Sequence, residues 1–122
     1  MTNMLINLSN HPSDRWSDEQ LAAATPFGEV VDLPFPKVDA HADEAYIAAL
    51  ADDYVDKVIQ LAENHHATVH LMGEMTLTFA LLKRLQLRHI PCVASTTERL
   101  VTEFEPGHKE STFRFVKFRI YE

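Results

Sequence analysis

The chain has 122 residues, of which 46% are hydrophobic and 24% are charged, a composition typical of one globular domain spanning residues 1–122. Its net charge of −7 argues against binding to long DNA or RNA, which requires a broad basic surface. No apolar run has the length of a membrane span, and we find no signal-peptide pattern. Cys92 is the only cysteine, which excludes a disulfide framework and a thiolate metal site and favours a cytoplasmic protein.

Seven segments alternate between strand-like and helix-like patterns over residues 4–94. Short apolar runs predict the strands, and apolar residues at i, i+3, i+4 and i+7 predict the helices. In chain order they are a strand over 4–8, a helix from the cap Ser17 to Thr25, a strand over 29–33, a helix from the cap Asp43 to Asn64, a strand over 68–71, a helix over 75–87 and a strand over 90–94. This alternation is typical of a parallel sheet with helical crossovers.

Two of the helices carry further signals. Ser17 and Gln20 have the spacing of a capping box, and we interpret Trp16 and Leu21 as the hydrophobic staple around it, in preference to a role of Trp16 in stacking on a base. The helix over 75–87 is apolar nearly all round. We therefore expect it to be buried on more than one side, either under the sheet or at a subunit interface.

The pattern changes to strands alone after residue 94. Strands over 100–104 and 112–121 flank a turn in which Pro106 and Gly107 suit type II geometry. The apolar residues of the last strand change phase near Val116, which predicts either a bulge or a strand covered on both faces. The chain is therefore predicted to be an α/β protein with a Rossmann-like, open, mostly parallel sheet, flanking helices and a C-terminal β-hairpin. The expected strand order is 2-1-3-4 followed by the hairpin, with the switch point between strands 1 and 3.

Three polar runs each follow directly on a predicted strand. The carboxyl ends of parallel strands lie along one edge of a sheet, where ligands bind at the point at which the strand order reverses. We therefore expect the runs to meet in one small polar site. The runs are Ser9-Asn10-His11-Pro12-Ser13, Met72-Gly73-Glu74-Met75-Thr76 and Ser95-Thr96-Thr97-Glu98-Arg99.

In the first run, His11 is placed to donate a hydrogen bond or a proton to a ligand. Ser9, Asn10 and Ser13 supply further hydrogen-bonding groups, although Ser, Asn and Pro also occur in turns for backbone reasons alone. The sequence therefore leaves both a binding role and a turn role open for these three residues.

The second run lies at a strand-to-helix junction. The free backbone amides at Gly73, Met75 and Thr76 favour a phosphate there. Glu74 opposes a phosphate because its carboxylate competes for the same helix terminus, and a capping role suits it equally well.

The third run offers consecutive hydroxyl groups. Those of Ser95, Thr96 and Thr97 suit phosphate or ribose oxygens, and the Arg99 guanidinium adds a planar set of donors. The alternative is an exposed loop in which Arg99 forms a surface ion pair with Glu98 or Glu103.

Several familiar sites are absent. Three glycines in the whole chain exclude a dinucleotide fingerprint and a phosphate-binding P-loop. His65, His66 and His70 have ligand-like spacing, but they cross a predicted helix end into a strand, so their side chains should diverge. We therefore expect no metal and no cofactor.

The segment Ile6–Pro12, followed by a helix that carries Gln20, resembles the N-terminus of small accessory proteins encoded beside type III CRISPR systems. Those proteins belong to the CARF group (CRISPR-associated Rossmann fold), and Gly73–Thr76 is similar to a ligand-contacting loop of such domains. The resemblance implies a homodimer that binds cyclic oligoadenylate across its dimer axis, with cyclic tetra-adenylate as the expected ring. It also implies antiviral ring-nuclease activity without a metal, in which a ribose 2′-hydroxyl attacks its own phosphate. The chain lacks the effector domain of many CARF proteins, which leaves removal or buffering of the messenger.

Under that resemblance, His11 would be the general acid for the leaving 5′-oxygen, and Arg99 with Thr96 or Ser95 would hold the phosphate. Two alternatives stay open. The protein could bind the messenger without cleaving it, or it could be a small Rossmann-like enzyme that acts on an ordinary nucleotide or nucleoside.

Overall fold

A computed structural model describes residues 1–122 as three α-helices around one five-stranded mixed sheet. In chain order the elements are β1 (Thr2–Ser9), α1 (Asp18–Ala24), β2 (Glu29–Asp32), α2 (Glu44–Leu61), β3 (His65–Met72), α3 (Met75–Leu87), β4 (Cys92–Glu105) and β5 (His108–Ile120). The strand order is β2-β1-β3-β4-β5, in which β1 to β4 are parallel and β5 is antiparallel to β4. The predicted α/β class, strand order and C-terminal hairpin are confirmed.

The helices begin where side chains satisfy their free backbone amides. The Ser17 hydroxyl accepts a hydrogen bond from the amide of Gln20 at the start of α1. Asp43 caps α2 in the same way. The chain leaves α2 through Asn64, whose φ of 65° cannot continue a helix. These local signals explain why the predicted helix starts agree with the structure, whereas α1 and α2 end slightly earlier than predicted, at Ala24 and Leu61.

The sheet separates two apolar clusters. Side chains alternate along β1, so Ile6 and Leu5 lie on opposite faces. Ile6 belongs to the larger cluster, which α2 and α3 cover, and Leu5 belongs to the smaller one beside α1. The larger cluster includes the fully buried residues Leu8, Val58, Val69, Leu71, Leu77, Leu81 and Leu85. No helix is both long and apolar enough to span a lipid bilayer.

Helix α3 differs from the expectation of burial on more than one side. It buries one face, while Met75, Phe79 and Leu87 on its other sides are 83%, 62% and 81% exposed. Within one chain the prediction is wrong, because the sheet and α2 cover only part of the helix surface. The predicted subunit interface on α3 stays a prediction.

The polar run over 95–99 is also not the loop that its composition suggested. It continues β4, which pairs with β5 along almost its whole length. Gly107 has φ 81°, as the second central residue of a type II turn requires, and Val116 is the extra residue of a bulge, as predicted. Beyond the bulge the two strands form a projecting hairpin arm, residues 97–115, in which almost every side chain is exposed.

Candidate functional site

A row of polar side chains crosses the sheet near the carboxyl ends of its parallel strands. Asn7 on β1 is the register partner of Asp32 on β2 and of His70 on β3. Ser95 on β4 completes the row, because its hydroxyl oxygen lies 3.2 Å from Nε2 of His70. We call Asp32, Asn7, His70 and Ser95 the polar row. Four strands thus contribute one residue each to a connected hydrogen-bond network.

Asn7 determines how the network is oriented. Its Nδ2 donates to Oδ1 of Asp32 and to the carbonyl of His11, both at 2.9 Å. Because both partners can only accept, the amide cannot be flipped, and its Oδ1 must face Nδ1 of His70 at 2.8 Å. Nδ1 of His70 therefore carries the proton. In the neutral ring, Nε2 is then an acceptor for the Ser95 hydroxyl, whose other acceptor within reach is the sulfur of Met72.

His70 is neutral over the physiological pH range. It is 2% exposed, and burial lowers its pKa from the ordinary 6.5 to about 4, with a smaller contribution from the positive charge that the nearby His11 can carry. The rings of Trp16 and Phe118 stand edge-on to it, with centroids 5.4 and 5.5 Å away. The network and the aromatic rings thus hold one tautomer of an uncharged imidazole.

The first predicted run is anchored to this network by its buried end. The Ser9 hydroxyl donates to Oδ1 of Asn7 at 2.8 Å and accepts from the amide of His11. Ser13 donates its amide and hydroxyl to the Asp32 carboxylate. The side chains of Asn10 and His11 are left exposed at the edge of the sheet. Ser9 and Ser13 therefore position the loop, while Asn10 and His11 are free to meet a ligand.

The second run begins beside the first. Met72 is the register partner of Ser9, and its sulfur lies 3.1 Å from the Ser95 hydroxyl oxygen, so the three runs start close together as expected. Glu74 is the cap of α3, with hydrogen bonds from the Thr76 hydroxyl and the Leu77 amide that lower its pKa. Its carboxylate therefore occupies the start of α3, where the sequence also allowed a bound phosphate.

The other members of the second run have different surroundings. Gly73 packs against Phe35, since a Cβ at position 73 would come within 2.4 Å of that ring. Met75 extends into solvent. Met72, Gly73 and Met75 line a mainly apolar cavity of about 330 Å³ that also reaches Tyr121. This part of the edge can accept an apolar or planar group next to the polar row.

The third run diverges from the other two. Ser95 is half-buried in the row, but Thr96 bonds across to the carbonyl of Lys117 and Thr97 is exposed on the arm. The Arg99 guanidinium donates to the Ser111 hydroxyl at 2.9 Å, and the Cα of Arg99 is about 13 Å along β4 from that of Ser95, at the rise of a strand. One chain therefore does not bring Arg99 beside His11. The ion pair that was the alternative for Arg99, with Glu98 or Glu103, is absent too, and Glu98 pairs with Arg114 instead.

Three residues of the row were missed from the sequence. Asn7 and Asp32 lie inside predicted strands and receive no role from the sequence, and His70 is grouped there with His65 and His66. A usable signal was present: Asn7 and His70 each lie between apolar residues in a strand, and a buried polar side chain requires a partner. His65 and His66 lie at the opposite edge, in a cavity of about 370 Å³.

A smaller cavity of about 160 Å³ opens directly on the polar row. It is lined by Asn7, Ser9, Asn10 and Asp32, with Pro12, Pro34 and Phe35. The cavity at the opposite edge is larger, but no buried polar side chain hydrogen-bonds into it. The carboxyl edge is therefore the stronger candidate site. This choice rests on the residues that line its cavity, since the cavity itself is the smaller of the two.

Comparison with known proteins identifies a family and no further relative. No curated protein and no solved structure matches the chain. Residues 3–119 match the model of a family described as the uncharacterized protein MJ1673 family. Because the match covers nearly the whole sequence, the chain belongs to the MJ1673 family.

Proposed function

We propose that this protein is a cytoplasmic, Rossmann-like homodimer that binds cyclic oligoadenylate at the carboxyl edge of its sheet, with cyclic tetra-adenylate as the preferred ring. The proposed activity is metal-independent cleavage of the ring, which lowers type III CRISPR signalling. The observation that carries the proposal is the polar row next to the switch point between β1 and β3. The family match is silent on activity.

The chemistry of the edge suits a ring of riboses and phosphodiesters. Asn10 and His11 are exposed there, and the half-buried Ser95 hydroxyl adds a third hydrogen-bonding group. The two nearby carboxylates are already engaged, Asp32 by Ser13 and Asn7 and Glu74 by the start of α3. Exposed His11 is the group best placed to protonate a leaving 5′-oxygen.

A homodimer is supported by apolar surface that one chain leaves open. Phe79 on α3 and Val101 and Phe113 on the hairpin arm are more than half exposed. An isolated two-stranded hairpin is marginally stable in water, so the arm gains from a covering partner. A two-fold axis near the carboxyl edge would present two polar rows to one symmetric ligand. Arg99 would then reach the ligand only from an arm laid against the partner subunit.

The test is incubation of the purified protein with cyclic tetra-adenylate in EDTA, with binding followed by calorimetry and products by chromatography. We expect one ring bound per dimer, sedimentation as a dimer, and linear products. His11→Ala should abolish cleavage and keep binding. Absence of any binding would refute the proposal and favour an enzyme acting on ordinary nucleotides.

The second candidate function is a non-catalytic sponge for the same messenger. The position of Arg99 on the arm favours it, because one chain then does not bring the Arg99 guanidinium to a phosphate at the edge. Tight binding of a ring that stays intact at stoichiometric protein would select this candidate over cleavage.

A further inference from the structure

We propose that Ser95, His70 and Asn7 form the proton-accepting side of the cleavage reaction, in which the Ser95 hydroxyl takes the proton of the attacking ribose 2′-hydroxyl. This inference rests on the proposed function and adds a base to it, since His11 alone supplies only the acid.

The hydrogen bonds of Asn7 direct His70 towards Ser95. Every hydrogen-bonding position of the Asn7 side chain is occupied. Its two amide hydrogens are donated to acceptors, and its Oδ1 accepts from Ser9 and from Nδ1 of His70. The lone pair of Nε2 therefore points to Ser95 and to no other group. A hydroxyl, a base within reach and a third group that orients the base are the arrangement that activates an oxygen in many enzymes.

A ligand at the edge has access to Ser95 but not to His70. His70 is 2% exposed, so a ligand at the edge cannot touch Nε2 directly. Ser95 is half-buried and contacts His70 from the side of the edge. A proton that leaves a ligand hydroxyl for His70 must therefore pass through Ser95.

The step balances without a metal or a further reactant. The 2′-hydroxyl gives its proton to Oγ of Ser95 while the Ser95 proton moves to Nε2 of His70. The 2′-oxygen forms a bond to the adjacent phosphorus, and the bond from phosphorus to the 5′-oxygen breaks. His11 protonates that 5′-oxygen, which leaves a 2′,3′-cyclic phosphate and a 5′-hydroxyl. Nε2 is free of a proton before the reaction because Oδ1 of Asn7 holds the proton of the neutral ring on Nδ1.

The decisive variant is Ser95→Ala, with Thr102→Ala as control because it also removes one hydroxyl from β4, on the arm and away from His70. We expect Ser95→Ala to lower the single-turnover rate about 100-fold or more, the usual contribution of a general base, and to leave the Kd within about 3-fold. Thr102→Ala should change neither quantity. Ser95→Thr keeps a hydroxyl and should retain measurable cleavage.

A second readout needs no ligand. Long-range ¹H–¹⁵N NMR of the free protein should show His70 with a protonated Nδ1 and an unprotonated Nε2, and Ser95→Ala should shift the Nε2 resonance. The opposite tautomer in the wild-type protein would overturn the relay, because Nε2 could not then accept a proton.

These experiments distinguish a failure of the proposed function from a failure of the relay. If the wild-type protein does not bind cyclic tetra-adenylate, the proposed function fails and the relay fails with it. If it binds and cleaves while Ser95→Ala cleaves at the same rate, only the relay is overturned. If Ser95→Ala loses binding as strongly as cleavage, Ser95 is a ligand contact and the relay is again overturned.

Discussion

Acidification from about pH 6.5 to pH 4 should destabilise the fold, and the contribution of His70 to that loss can be worked out separately. The pKa of His70 is about 4 in the fold, against 6.5 as its ordinary value, because burial disfavours the charged ring. Between these two values the unfolded chain binds a proton that the folded protein does not, so the free energy of unfolding falls as the pH falls. At about 1.4 kcal/mol per pKa unit, the total loss is about 3 kcal/mol by pH 4, with none above pH 6.5.

The assay is urea unfolding over that pH range, followed by the fluorescence of Trp16, the only tryptophan, which is 7% exposed. His70→Gln removes the titrating ring, so its stability should depend less on pH than that of the wild type by about 3 kcal/mol across the range. His66→Gln is the matched control, since His66 lies on the same strand and is exposed. Parallel curves for the wild type and His70→Gln would refute the buried, neutral imidazole.

Two further pairs of variants test the packing, each by urea unfolding. Gly28→Ala should lower the free energy of unfolding by about 2 kcal/mol or more, because Gly28 has φ 100° and a Cβ there would lie 2.1 Å from the carbonyl oxygen of Asn3. Gly107→Ala should lower it by about 1 kcal/mol, because Gly107 has φ 81° but open space around it. Equal losses would contradict the close approach at Gly28. Leu81→Ala should cost about 2–5 kcal/mol because Leu81 is fully buried. Exposed Leu87→Ala should stay within about 0.5 kcal/mol, and a larger loss there would show that α3 is covered.

The elements and their order were predictable because their signals are local. Ser17 and Asp43 cap helices through residues three positions later, and Pro106 with Gly107 specifies a turn. The rule that crossovers between parallel strands are right-handed then limits the possible strand orders. None of these signals needs knowledge of a distant residue.

The polar row was not predictable in the same way, because it depends on strand register. Asn7 and His70 are 63 residues apart in the sequence and become neighbours only through the pairing of β1 with β3. The run at 95–99 was misread for the opposite reason. Its polar residues suggested a loop, but threonine favours strands and pairing with β5 extends β4 through the run. That extension carries Arg99 away from the site expected for it.

The most direct test of the central claim, that the carboxyl edge binds the messenger, is a titration of ¹⁵N-labelled protein with cyclic tetra-adenylate. The account predicts that amide resonances of residues 9–13, 72–76 and 95–97 shift together and saturate at one ring per dimer. No shifts, or shifts confined to the opposite edge around His65, His66 and His89, would contradict it.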